Sequence, residues 1–331
     1  MDRQVKRIGV LTSGGDAPGM NAAVRAVVRT AVGQGIDCVG IRRGWNGLIN
    51  SDFIRMDASS VSHIIDKGGT MLYTARSEEF MGPAGRAKAL GTCKLLGLDG
   101  IVAIGGDGTF RGALALSRQA AESGESLSVV GIPATIDNDI GCSHYTIGFD
   151  TACNTAIECI DKLRDTMQSH ERCSVVEVMG RHAGYLALYV GLAVGATAVL
   201  VPETEYDFEA HVAEKIRQAR LMGKTNFMIV VAEGCVSAMK VGEQIKNELG
   251  LDPRVTILGH IQRGGSPTAK DRVIATRMGY EAVRVLAEGG TNRVIVIHSD
   301  QVSDLDIDEG LAMMKTLNQE EFQVMKTMTG Q

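Results

Sequence analysis

Short runs of β-branched and aliphatic residues, most of them closed by glycine, alternate along this chain with stretches of helical period, and no other feature restricts the fold as much. The runs are residues 8–11, 38–41, 101–104, 129–132, 174–178, 198–201, 227–231 and 294–297. Between most of them lie segments with apolar residues at three- and four-residue spacing: 21–34, 113–122, 151–167, 208–222 and 272–287. Strand, helix and strand in series predict βαβ units and mostly parallel sheets covered by helices on both faces, an α/β fold. In such sheets ligands bind beyond the carboxyl ends of the strands. The residues just after each strand are therefore where chemistry is expected.

At 331 residues the chain exceeds the roughly 250–300 at which one hydrophobic core stops growing, so two lobes are expected. Apolar residues at 44% and charged residues at 22% exclude a disordered, collagen-like or coiled-coil chain. Forty glycines against six prolines suit tight turns between regular elements. A net charge of −5 argues against nucleic acid or an acidic membrane as the main partner and leaves room for local phosphate sites. The seven cysteines never form CxxC, which supports neither a disulfide framework nor a zinc ribbon and fits a cytoplasmic location. Residues 1–7 are charged and only 8–11 are apolar before a glycine-rich turn, so no secretory leader is expected. Residues 183–202 are uncharged over the length of a membrane span, but Gly184, Gly191, Gly195, Thr197 and Pro202 interrupt them. They read as a buried helix followed by a strand at 198–201.

Three familiar motifs fail on inspection. Gly223-Lys224-Thr225 ends as a P-loop ends, yet Gln218 stands where the first glycine must be, so the segment reads as a helix C-terminus. Gly106-Asp107-Gly108 opens as a dinucleotide fingerprint, but Arg111 occupies the third glycine position. No HExxH or other histidine pair has metal-ligand spacing, which removes a zinc hydrolase.

What remains is a set of loops suited to phosphates. Gly105, Gly106, Asp107, Gly108 and Thr109 follow one strand and precede a helix; glycines there let backbone N–H groups approach a polyphosphate, and a carboxylate can hold Mg²⁺ against it. Residues 10–21, VLTSGGDAPGMN, form a second such loop, with Asp16 readable either as a ligand or as a helix cap. The only internal echo is this GGD at 14–16 and 105–107, too short to define a repeat. Residues 133–140, PATIDNDI, read either as a polar turn with Asx hydrogen bonds or as an extended segment that sets Thr135, Asp137 and Asp139 at alternate positions, as a base and its electrostatic partner require. VMGRHAG at 178–184 and HIQRGGSP at 260–267 place arginine beside glycine at strand-to-helix junctions, and Arg76, Arg172 and Arg254 add basic side chains. Phosphoryl transfer spreads negative charge over several oxygens and calls for this combination of metal ion, loop amides and arginines.

The motifs GGDAPGMN, GGDGT, TIDND, MGRHAG and HIQRGGSP, in this order and spacing, closely resemble bacterial ATP-dependent 6-phosphofructokinases from about residue 8 to about residue 298. The resemblance implies Mg·ATP-dependent transfer of the γ-phosphoryl group to the 1-hydroxyl of fructose 6-phosphate. It also implies two doubly wound lobes with the active site in the cleft between them, usually in a homotetramer. The expected lobes are 1–148 plus 259–306 for ATP and 149–258 plus 307–331 for the sugar phosphate. By matched position, Gly15, Arg76, Ser77, Gly106, Asp107, Gly108 and Thr109 would bind the nucleotide, with Asp107 holding Mg²⁺. Asp137 would be the general base, with Thr135, Asp139, Arg76 and Arg181 as its catalytic company. Thr135, Ile136, Asp137, Met179, Gly180, Arg181, Glu233, His260, Ile261, Gln262 and Arg263 would line the sugar-phosphate site, completed by Arg172 and Arg254 from a neighbouring subunit.

Two other readings stay open on the sequence. Pyrophosphate-dependent relatives typically carry Asp where this chain has Gly108 and Lys where it has Ala134, so Gly108 favours ATP, while Ala134 also departs from the glycine usual in ATP enzymes. An inactive nucleotide-sensing regulator on the same fold is disfavoured because Asp107, Asp137 and the matched arginines are all present. Of the family's effector-binding positions, Arg25, Arg29, Arg164 and Lys224 match, whereas Ala58, Met222 and Thr225 replace basic residues and Thr197 replaces an acid.

Overall fold

The valine- and isoleucine-rich runs pair with one another as parallel strands, as a computed structural model covering residues 5–170 and 172–328 describes them. In chain order come β1 (Arg7–Thr12), α1 (Met20–Gly33), β2 (Asp37–Ile41), α2 (Gly44–Ile49), β3 (Phe53–Met56), α3 (Glu78–Met81), α4 (Pro83–Leu96), β4 (Gly100–Gly105), α5 (Asp107–Glu122) and β5 (Ser128–Pro133). There follow α6 (Phe149–Ser169), β6 (Cys173–Val178), α7 (Tyr185–Ala193), β7 (Ala198–Leu200), α8 (Glu214–Leu221), β8 (Phe227–Ala232), α9 (Ala238–Leu249) and β9 (Arg254–Ile257). The chain ends through α10 (Ala269–Ala287), β10 (Arg293–His298), β11 (Gln301–Asp306), α11 (Ile307–Ala312) and α12 (Gln319–Met328).

These elements form two compact units. One holds the residues up to Ile136, Ile140–Asp150 and Arg263–Lys315; the other holds Asp137–Asp139, Thr151–Gln262 and the residues from Thr316 onward. The first is built on a seven-stranded sheet of order β11-β10-β5-β4-β1-β2-β3, parallel except at its two edges, where β3 and β11 run antiparallel. Every residue of β4 is buried, because helices cover both faces, and each such Ile or Val contributes on the order of 1.5–3 kcal/mol of burial free energy. On one face Leu11, Val39, Ile101 and Val129 pack with Trp45, Phe80, Leu90 and Phe110. There the Trp45 and Phe80 rings stack at 4.7 Å and 9°. Helices α1 and α10 pack together and against the strands from the other side.

The second unit has a four-stranded, wholly parallel sheet of order β7-β8-β6-β9. Val175, Leu200, Ile229 and Val231 meet Phe208, Ile216, Val241 and Ile245 on one face. The uncharged stretch 183–202 is α7 followed by β7, as expected, and no helix among the described residues is long and apolar enough to cross a membrane. Helix α8 ends at Leu221, which makes Gly223-Lys224-Thr225 the helix exit the sequence indicated.

Several elements depart from expectation. The helix expected over 208–222 begins as a π-helical turn, Glu209–Ala213, before α8 takes over. Helix α5 starts at Asp107, well before residue 113, and so carries the glycine-acid loop in its own first turn. PATIDNDI is not extended throughout. The chain turns at Ile136–Asp137, and Asn138 takes a left-handed φ of 51° that asparagine tolerates better than most residues.

Candidate active site

Strand order marks where a ligand site is expected in the first unit. The chain leaves β1 for β2 on one side and, after β3, returns to lay β4 on the other, so the loops after β1 and β4 part at the topological switch point. Both glycine-acid loops are there. The Ser13 N–H donates to the Ile104 carbonyl at 3.0 Å, and the Thr109 hydroxyl donates to the Ser13 carbonyl at 3.1 Å. Gly105 has no room for a Cβ, which would overlap the Ser13 carbonyl and the Thr109 hydroxyl. Asp107 and Gly108 are exposed at the start of α5, whose first-turn N–H groups and dipole favour an anion, and a Cβ at Gly108 would meet nothing within 4 Å.

Further side chains gather on these loops. The Thr74 hydroxyl donates to the Gly14 carbonyl at 2.8 Å, bringing the segment with Arg76 and Ser77 to the first loop. Ser77 caps α3, accepting from the Phe80 N–H at 3.4 Å, while Arg76 is exposed. An Arg263 nitrogen donates to the Asp16 carbonyl at 3.1 Å, beside Gly15. Thr135 is half-buried and its carbonyl accepts from the Thr146 hydroxyl at 2.6 Å; Ile136 is buried. Burial pushes the Cys142 thiol up to about 11, and the Asp107 carboxylate adds to that shift. Gly15, Arg76, Ser77, Gly106 to Thr109 and Arg263 therefore share one end of the first unit's sheet.

In the second unit the site residues follow the carboxyl ends of three neighbouring strands, β8, β6 and β9. The Glu233 N–H donates to the Val178 carbonyl at 2.9 Å, and the Gly234 N–H donates to the Gly180 carbonyl at 3.2 Å. Gly180 sits at φ +128°, a conformation open to glycine and strained for other residues. Gln262, fully buried, accepts from the Met179 N–H at 3.3 Å and donates to the Gly259 carbonyl at 3.0 Å. Arg181 is largely exposed and lies 4.0 Å from the Glu233 carboxylate. His260 and Ile261 are exposed on the short 3₁₀ turn Gly259–Arg263. Asp137 is half-buried and Asp139 exposed; burial pushes the Tyr185 hydroxyl up to about 12, with Glu203 and Asp139 among the lesser causes.

Two basic residues are not with this group. Arg172 immediately precedes β6, and Arg254 is the first residue of β9, paired with Ser174. Both sit at the amino ends of their strands, roughly 20 Å of extended chain from Met179 and Arg181. Arg254 pairs with Asp252 at 3.3 Å.

The four candidate effector residues divide between the units. Arg25 and Arg29 lie on α1, with Arg29 donating to the Ala58 carbonyl at 3.5 Å. Arg164 donates to the Val194 carbonyl while its Nε is buried without a partner, and Lys224 is exposed. The Thr197 hydroxyl accepts from the Met228 N–H at 3.3 Å. Three polar residues around the two glycine-acid loops, Thr12, Asn21 and Thr74, were not singled out in the sequence, although Thr12 and Asn21 lie inside VLTSGGDAPGMN.

Comparison with known proteins shows the family to which the chain belongs. The chain is 51% identical over 326 residues, 98% of its length and 100% of the relative's, to the ATP-dependent 6-phosphofructokinase of Thermoanaerobacter sp. (strain X514). It is 50% identical over 320 residues to that of Clostridium botulinum (strain Loch Maree / Type A3), covering 97% of this chain and 98% of that one. A solved phosphofructokinase from Saccharomyces cerevisiae superposes with a TM-score of 0.87 at 35% identity over 98% of this chain, which spans about half (47%) of the yeast chain. A pyrophosphate-dependent phosphofructokinase from Marinobacter aquaeolei shares the fold, with a TM-score of 0.86 at 22% identity over 96% of this chain and 86% of that one. The family model for phosphofructokinase matches residues 7–286, and with half the residues shared with curated members the chain belongs to the phosphofructokinase family.

Proposed function

We propose that the protein is a glycolytic, ATP-dependent 6-phosphofructokinase. It transfers the γ-phosphoryl group of ATP to the 1-hydroxyl of fructose 6-phosphate, giving fructose 1,6-bisphosphate and ADP. The observation that carries this reading is the meeting of two glycine-acid loops at the switch point of the first unit, with Thr109 bonded to Ser13 and the segment of Arg76 tied to Gly14. Phosphate groups fit there against backbone N–H groups. Gly108, without a side chain, leaves space where a carboxylate would repel the nucleotide.

Each group has a role in the transfer. Asp137 takes the proton of the sugar hydroxyl as its oxygen bonds to phosphorus and the bond to the ADP oxygen breaks. Thr135 and Asp139 orient the reaction zone. Arg76 and Arg181 offset charge on the transferring group. Met179, Gly180, Glu233, His260, Ile261, Gln262 and Arg263 hold the sugar phosphate, with Arg172 and Arg254 supplied by a second copy in a homotetramer. Asp107, an exposed hard oxygen ligand beside the loop glycines, would hold a Mg²⁺ ion. Such an ion supplies charge neutralisation on the phosphate oxygens. The reaction is placed in the cytoplasm.

A coupled assay of purified protein tests this reading. Turnover with ATP and Mg²⁺ and at most a trace with pyrophosphate is expected; preference for pyrophosphate, or no turnover with either donor, would sink it.

The altered effector positions lead to a second expectation. Three lost cations remove charge-assisted hydrogen bonds of about 1.5–3 kcal/mol each where well formed, and Thr197 cannot replace the acid as a metal contact. Arg164 is already engaged with Val194. An effector that binds two states almost equally shifts neither, so phosphoenolpyruvate and ADP at millimolar concentration should move the sugar-saturation midpoint by less than about twofold. A severalfold shift by phosphoenolpyruvate that ADP reverses would show that the remaining basic residues suffice.

A further inference from the structure

Residues 57–77 run without helix or strand between β3 and α3, far longer than an ordinary connection, and they end at Arg76 and Ser77. Two of their non-glycine residues, His63 and Tyr73, take left-handed φ values of 57° and 55°. A segment of this kind keeps one shape only if its surroundings fix it.

The surroundings do so through few side chains. Asn21, 3% exposed in the first turn of α1, donates from Nδ2 to the carbonyls of Lys67 and Gly68, each at 3.2 Å. Its Oδ1 accepts from the Met71 N–H at 2.7 Å. Thr12, fully buried at the end of β1, donates to the Tyr73 carbonyl at 2.9 Å and pairs with the Thr70 hydroxyl at 2.9 Å. The Ser266 hydroxyl, from HIQRGGSP, donates to the Asp66 carbonyl at 2.7 Å. The Arg43 N–H donates to the Leu72 carbonyl at 2.8 Å. Of these anchors Asn21 alone serves three loop positions with one side chain, and only a side-chain amide supplies two N–H donors and an acceptor at that reach.

We propose that Asn21 is a positioning residue for Arg76: by clamping 67–71 to α1 it fixes where the loop delivers the arginine that meets the nucleotide phosphates. The inference rests on the kinase reading above. Arg76 is exposed, so its place is set by the backbone that carries it, and that backbone is held by Asn21 at Lys67, Gly68 and Met71 before the bonds of Leu72, Tyr73 and Thr74 lead it to Arg76. Asn21→Asp keeps the shape but removes both donors and sets a carboxylate against two carbonyl oxygens. The 67–71 clamp is then lost while the α1 packing and the Thr12, Thr74 and Ser266 anchors stay.

A double-mutant cycle on the full-length enzyme decides the matter. Asn21→Asp is expected to lower kcat/KM for ATP by roughly 10- to 100-fold, while KM for fructose 6-phosphate stays within about twofold. In an Arg76→Ala background the same change should cost less than about threefold, because the group it positions is gone. Losses of equal size in both backgrounds would overturn the inference while leaving the kinase reading intact. Full ATP activity in Arg76→Ala alone would overturn both this inference and the role given to Arg76. If Asn21→Asp does not fold, Asn21→Ser, whose hydroxyl can keep part of the clamp, is read by the same cycle with smaller expected losses and the same two overturning outcomes.

Discussion

Asp137→Asn is expected to lower kcat by roughly 10²- to 10⁴-fold while KM for fructose 6-phosphate stays close to that of the unaltered enzyme. The amide matches the carboxylate in size and can still accept a hydrogen bond from the sugar hydroxyl, so ground-state binding persists. It cannot take the proton, and only the transition state feels that loss. The local backbone gives the substitution little freedom to rearrange. Asn138 is buried with φ 51°, and the Thr135 carbonyl just upstream is held by the Thr146 hydroxyl at 2.6 Å. Steady-state rates with both substrates saturating measure the effect, alongside the thermal midpoint as a check on folding. A kcat near normal would move the base to another group, and Asp139, exposed two residues on, would be the first to replace.

The parts of this fold that were legible in the sequence are those that helices cover on both faces. Strands such as β4 and β8, buried at every residue, read as apolar runs rich in Val and Ile. The three strands that escaped notice are β3, β9 and β11, and each lies at a sheet edge. An edge strand is half solvated, so Arg254–Ile257 and Gln301–Asp306 alternate polar and apolar residues or lack an apolar run altogether. Helix α4 was missed for a related reason: it is short of large apolar residues on any one face and mixes Gly85, Arg86, Lys88 and Gly91 among them. The glycines in GDGTFRG likewise argued against helix, yet α5 begins at Asp107 because its first turn presents N–H groups outward rather than packing.

The site was legible to a different extent. Residues directly after strands announce themselves, since glycine, arginine and aspartate interrupt apolar runs there, and the segments of Met179 to Arg181 and of Asp107 stood out that way, whereas Glu233 came only from the family resemblance. Asn21 did not stand out. Its work is done on residues 67–71, about fifty positions along the chain, by contacts that no local pattern encodes. The turn at Ile136–Asp137 was legible only as one of two readings, because alternating Thr135, Asp137 and Asp139 suits an extended segment as well as a polar turn. Their burial does alternate, with Ile136, Asn138 and Ile140 buried between them, although the backbone turns.

The other large effect expected is complementation between two inactive proteins. Arg254→Ala and Asp137→Asn should each be nearly inactive alone, and a mixture should recover activity once subunits exchange. The argument is geometric. Within one chain Arg254 and Arg172 stand at the amino ends of β9 and β6, whereas Met179, Gly180, Arg181 and Gln262 gather at the carboxyl ends of the same strands. A sheet strand cannot bend back on itself, and an arginine side chain extends only about 7 Å, so neither residue reaches the proposed sugar-phosphate site of its own chain across roughly 20 Å. If both serve the site, they serve it on another copy. A hybrid interface that pairs an intact Asp137 on one chain with an intact Arg254 on the other has every group it needs. In randomly exchanged dimers half the molecules are hybrids with one such interface of two, so about a quarter of full activity is expected. Native mass spectrometry verifies exchange, and the coupled assay reads the rescue. Exchange without recovered activity would confine each site to a single chain and leave Arg254 and Arg172 as surface residues of their sheet.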